Sequence, residues 1–79
     1  MGYVSKSKTK EKQQLFSFME RHHKGGSVSY SKIKEYADQK GYKIRKQDKE
    51  WIAVENKRGT PLSGMHVNKK KRVDNWRIN

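Results

Sequence analysis

Cysteine is absent from this chain, which excludes disulfides, thiolate metal sites and thiol catalysis. Proline occurs once, and Leu, Ile, Val and Phe together supply only thirteen of the 79 residues. No apolar run approaches the roughly 20 residues that a membrane-spanning helix requires. No apolar segment follows the basic start, so neither a signal peptide nor a membrane partner is expected, and the cytoplasm is the expected location, with nucleoid association in a bacterial or phage setting. The opening Met1-Gly2 lacks the Ser or Thr at position six that a myristoylation signal needs, because Lys6 stands there. Few aliphatic residues with high net charge is also the composition of disordered chains. Against that stand Trp51, Trp76, Tyr30, Tyr36, Tyr42, Met19 and Met65, since each aromatic can bury about 150–250 Å². One modest core is the most such a chain can build.

Acidic residues are scarce as well. Eight Asp and Glu face twenty Lys and Arg, for a formal net charge of +12. The excess is uneven. Residues 1–12 carry +3, the long segment 13–55 only +3, and residues 56–72 carry +6 without a single acid. Charge serving solubility alone would be spread over every exposed face. Concentration into two runs around a nearly balanced, aromatic-bearing centre points to a surface for a polyanion.

Residues 1–8 read as a mobile basic arm, and residues 9–79 as a single domain. Thr9 is a candidate N-cap with Glu11 in the first turn, and Leu15, Phe18, Met19 and His22 then recur at helical spacing up to Lys24-Gly25-Gly26. Ser27-Val28-Ser29-Tyr30 suits one short strand or an extended connector. Ser31 is expected to cap a second helix with Ile33, Tyr36 and Ala37 on its apolar stripe, closing at Lys40-Gly41. For residues 42–58 a third helix is preferred, with Trp51, Val54 and Ile44 on one face and Arg45, Lys46, Lys49 and Asn56 outward. The alternative is a hairpin turning at Gln47-Asp48, because β-branched and aromatic residues favour strands. Residues 58–64 are expected to form a loop. Met65-His66-Val67 and the run from Val73 to Ile78 then form a hairpin with a basic tip, Asp74, Trp76 and Ile78 sharing one face and Val73, Asn75 and Arg77 the other.

That element order, Ala37 followed four residues later by Gly41, and the tip Lys69-Lys70-Lys71-Arg72 resemble the winged helix-turn-helix family of DNA-binding domains over residues 9–78, in the small basic form carried by phages and mobile elements. The resemblance implies an α+β fold of three helices with a β-hairpin wing. It implies further that Arg45, Lys46, Lys49 and Asn56 face the major groove, and that Lys69, Lys70, Lys71 and Arg72 meet phosphates.

The residues themselves lead to a nucleic-acid-binding module, with DNA preferred over RNA, in an accessory or regulatory role. Lys6, Lys8, Lys10, Arg45, Lys46, Lys49, Lys57, Arg58, Lys69, Lys70, Lys71 and Arg72 are the expected contacts. Lysine outnumbers arginine among them, which favours phosphate positioning over base readout. Trp51 and Trp76 are both expected in the core, and Tyr3 of the arm is the candidate for stacking on a base. His22, His23 and His66 have no companions at ligand spacing, and Asp38, Asp48 and Glu50 come with neither a nucleophile nor a phosphate loop. No enzyme activity, cofactor, metal or small-molecule substrate is therefore expected, and homodimerisation stays open. Two other readings remain: a binder of single-stranded DNA or RNA, and a phage-type inhibitor docking on an acidic protein surface.

Overall fold

The structure is a computed structural model and describes residues 9–79. The first helix, α1, covers Lys10–His22. Thr9 caps it as expected, its side-chain oxygen accepting from the Lys12 N–H at 3.4 Å, and Leu15, Phe18 and Met19 are the residues it buries. Gly25 and Gly26 both take positive φ in the following turn, which brings Lys24 and Ser27 into reciprocal backbone hydrogen bonds. Strand β1 is only Val28–Ser29, and α2 runs Tyr30–Lys40 with Ile33 and Ala37 buried. Ser29 occupies the N-cap position without a side-chain capping bond, and its hydroxyl pairs with Ser31 at 3.0 Å. The helix stops at Gly41, whose φ of 75° few side chains tolerate.

From there every regular element is a strand. Strands β2 (Lys43–Lys46), β3 (Trp51–Glu55), β4 (Pro61–Val67) and β5 (Arg72–Ile78) form a meander, and β1 pairs with β5, giving the order β1-β5-β4-β3-β2 with every pair antiparallel. The third helix does not exist, and with it goes the winged helix-turn-helix architecture: the fold is α+β with two helices and a five-stranded antiparallel sheet. The physical reason lies in Ile52. A helical stripe through Ile44, Trp51 and Val54 leaves Ile52 pointing away. Strand alternation instead sets Ile44, Ile52 and Val54 on one face, against the core. Residues 47–50 close the hairpin, with the Gln47 and Asp48 N–H groups both donating to the Trp51 carbonyl.

Two further expectations are corrected. Residues 61–64 of the expected 58–64 loop are strand, because Pro61 can open β4, where a missing N–H costs no ladder bond. In β5, Val73, Trp76 and Ile78 are all buried. An irregularity between His66 and Val67 places Val67 opposite Val73 and His66 opposite Asn75, so Asp74 is extra and the alternation shifts by one. The hairpin is also not an appended wing, since β4 and β5 are interior strands of the sheet.

Both helices pack on one face of the sheet, where Leu15, Phe18, Met19 and Ile33 meet Val28, Ile52, Val54, Met65, Val73 and Trp76. Aromatic rings tie the elements together: Phe16 of α1 meets Trp76 of β5 with centroids 5.7 Å apart, and Phe18 of α1 stacks on Tyr36 of α2 at 4.4 Å. Burial raises the Tyr36 pKa, with Tyr42 nearby adding to the effect and Arg21 opposing it. Among the described residues no helix is long and apolar enough to cross a membrane.

Candidate nucleic-acid interface

Antiparallel topology puts the β2–β3 and β4–β5 turns at the same end of the sheet. At the β4–β5 turn, Asn68 acts as a local scaffold: its side-chain oxygen accepts from the Lys70 and Arg72 N–H groups at 2.9 and 3.1 Å. Lys71 sits at φ 63°, a left-handed conformation that glycine or asparagine occupies at lower cost. Its carbonyl accepts from the Tyr30 N–H at 3.1 Å, fixing the tip to the start of α2.

Between the two turns, on the helix side of the sheet, lies an open cleft of about 420 Å³. Lys46 and Lys49 border it from the first hairpin, Lys69 and Lys71 from the second, with Tyr30 beside them and Ile44, Ile52 and Val67 along the wall. Four ammonium groups thus face one carboxylate, that of Glu50. Each repels the others until an anion neutralises them.

The remaining expected contacts divide. Lys70 lies beyond this cleft, in a shallower groove with Lys24 and Arg72. Arg72 is engaged within the fold: its Nε donates to Ser27 Oγ at 2.6 Å and its Nη2 to the Ser27 and Lys24 carbonyls at 3.3 and 3.4 Å. Arg45 is on the opposite sheet face in an ion pair with Glu55 at 3.1 Å. Lys57 and Arg58 are at the far end of the sheet, in the β3–β4 turn. Arg58 pairs there with Glu11 at 3.5 Å, and the Lys57 stem crosses so close over Gly41 that a Cβ would collide with it. Lys10 borders a separate groove between the helices, with Arg21 and Lys40. Lys6, Lys8 and Tyr3 lie outside the described residues.

Asn56 does not face outward. It is 1% exposed and organises the β3–β4 turn, its oxygen accepting from the Arg58 and Thr60 N–H groups while its Nδ2 donates to Glu11. Trp51, expected in the core, is the exposed large hydrophobic residue. The signal for that was present in the alternation of β3, where Trp51 falls out of phase with Ile52 and Val54.

On the opposite face of the sheet, beside Trp51, stands His66. His66 Nδ1 is 2.6 Å from Asp74 Oδ1 and its Nε2 is 3.6 Å from Glu50 Oε1. The hydrogen bond to Asp74 raises the histidine pKa above its ordinary 6.5, with Glu50 assisting. The same bond holds Asp74 below its ordinary 3.8. Stabilisation from the histidine side is fully present below pH 6.5 and fades as pH rises through the raised folded value. From the aspartate side it is present above 3.8 and fades as pH falls through the lowered one. Melting temperature is therefore expected to decline from about pH 6 to pH 8 in the parent, and the decline should flatten in His66→Gln. Identical profiles for the two proteins would show that the imidazole is not paired in solution. Among the described residues no group of three or more His, Cys, Asp or Glu could hold a metal ion.

The chain matches no protein-family model, no curated protein and no solved structure, so the functional reading rests on its own residues.

Proposed function

We propose that the protein is a non-catalytic nucleic-acid-binding module, with DNA the preferred partner, acting in the cytoplasm as an accessory or regulatory factor. The observation that carries this reading is the convergence of Lys46, Lys49, Lys69 and Lys71, from two turns far apart in sequence, around one cleft. Flexible lysines scattered by chance over a surface have no reason to meet at one end. Lys71 in particular is kept where its backbone is strained, which a turn selected only for stability would avoid.

Phosphates entering the cleft displace the cations condensed on the polyanion, and that release drives binding. Lysine gives point-charge neutralisation without the planar fork that reads guanine, so affinity varies little with sequence. The test is an anisotropy titration of duplex DNA, single-stranded DNA and RNA across ionic strength. Log affinity should fall linearly with log salt, with a slope of about −3 to −4 for four phosphate contacts. Failure to bind any polynucleotide at low ionic strength would overturn the proposal and favour an acidic protein as the partner.

A further inference from the structure

The sheet face that α1 and α2 leave bare has its own pattern. Arg45 is in register with Ala53, Ala53 with Gly64, and Gly64 with Arg77. One row across four strands therefore carries a cation at each end and the two smallest residues in the middle, of which Ala53 is buried and Gly64 is partly open. The neighbouring row sets Trp51 opposite His66 and His66 opposite Asn75.

Trp51 is 38% exposed, the one exposed large hydrophobic among the described residues. Its ring leans on His66, with centroids 5.3 Å apart at 60°, and His66 is held in turn by Asp74 and Glu50. The indole is thus braced on one side and open on the other. It directly follows Lys49 and Glu50 of the β2–β3 turn, so it stands at the cleft end of the sheet, on the opposite face.

Gly64 is the second, independent observation. Its backbone is not left-handed, and a Cβ built on it would meet nothing within 4 Å. Neither conformation nor packing within the described chain asks for glycine, although glycine weakens a strand interior. A strand glycine of this kind marks a place where something outside the chain approaches the backbone closely.

We propose that these two adjacent rows together seat an unpaired base of single-stranded DNA. The base stacks on the free side of the Trp51 indole above Gly64. Arg77, exposed and without an ion pair among the described residues, takes the adjoining phosphate. Duplex DNA keeps its base faces inside the stack and offers none of them to the indole. The inference rests on the nucleic-acid reading above and narrows it: lysines at the sheet end hold the backbone, and the bare face selects strands with unstacked bases.

The test compares an oligothymidine strand, a duplex and an oligouridine strand of equal length, against the parent, Trp51→Ala and Gly64→Val. Trp51→Ala should lose about 5- to 100-fold in affinity for oligothymidine and less than twofold for duplex. Gly64→Val introduces a strand-favouring residue into open space, so its melting temperature should stay level or rise while oligothymidine affinity falls as in Trp51→Ala. Both variants binding oligothymidine like the parent would overturn the base seat and leave the lysine reading standing. Equal losses for duplex and single strand would also overturn it. Tighter binding of oligouridine than oligothymidine would overturn the DNA assignment. A parent that binds none of the three would remove the reading on which the seat depends.

Discussion

Trp76→Ala is expected to destabilise the fold by about 3–5 kcal/mol. The side chain is 3% exposed, sits opposite Met65 on the interior strand β5, and lies against Phe16 of α1. It therefore ties sheet to helix at a place where few aliphatic residues are available to close the gap. A domain of this size is stable by about 4–12 kcal/mol in total, so the loss removes much of the margin and lowers the melting temperature by well over 10 °C. Trp76→Phe keeps a ring in the site and should cost less than half as much. Thermal and urea unfolding of the three proteins measures this. An alanine variant as stable as the parent would place Trp76 outside the core.

The second large effect concerns binding. Replacing Lys46, Lys49, Lys69 and Lys71 together by Ala should reduce affinity for duplex DNA at least tenfold at moderate salt, whatever its sequence, and flatten the salt slope by about 3 to 4. Lys49, Lys69 and Lys71 are exposed turn residues and Lys46 an exposed edge-strand residue, so circular dichroism should not change. The control is Lys57→Ala with Arg58→Ala, which removes two cations of the same +6 run at the other end of the sheet. That pair should alter affinity by less than twofold. Equal losses from both sets would mean that only total charge matters and that the cleft has no special role.

Much of this arrangement could be read from residues alone. Helical spacing located Leu15, Phe18 and Met19, and glycines 25, 26 and 41 marked the stops, because those signals are local and strong. The basic hairpin tip was legible for the same reason. Residues 42–58 were not, since Ile44, Trp51 and Val54 fit one helical face while Ile44, Ile52 and Val54 fit one strand face. The choice between the two is made by β4, which offers β3 a hydrogen-bonding partner and buries Ile52 beside Met65. The faces of β5 were misread because one extra residue at Asp74 shifts the alternation, and such shifts leave no compositional trace.

The candidate site divides similarly. Its cations were visible as charge runs, but which of them meet depends on strand order. Lys46 and Lys69 are brought together by a sheet that sequence spacing cannot reveal, while Arg58 and Arg72, adjacent to lysines in the chain, are occupied by Glu11 and Ser27. The two tryptophans were indistinguishable by composition, yet one is a core residue and the other faces solvent.

The pairing of Val28 with Val73 and of Ser29 with Arg72 carries a consequence for assembly of the molecule. Every other strand pair joins chain neighbours and can zip up in order, whereas β1 must wait for a partner separated from it by three other strands. Until that loop closes, the apolar side of the first helix has only part of its cover, and the chain is open to proteases. Folding should therefore finish with the docking of the amino-terminal helix and strand onto a meander already formed. Destabilising changes at Val28 should then accelerate unfolding far more than they slow folding.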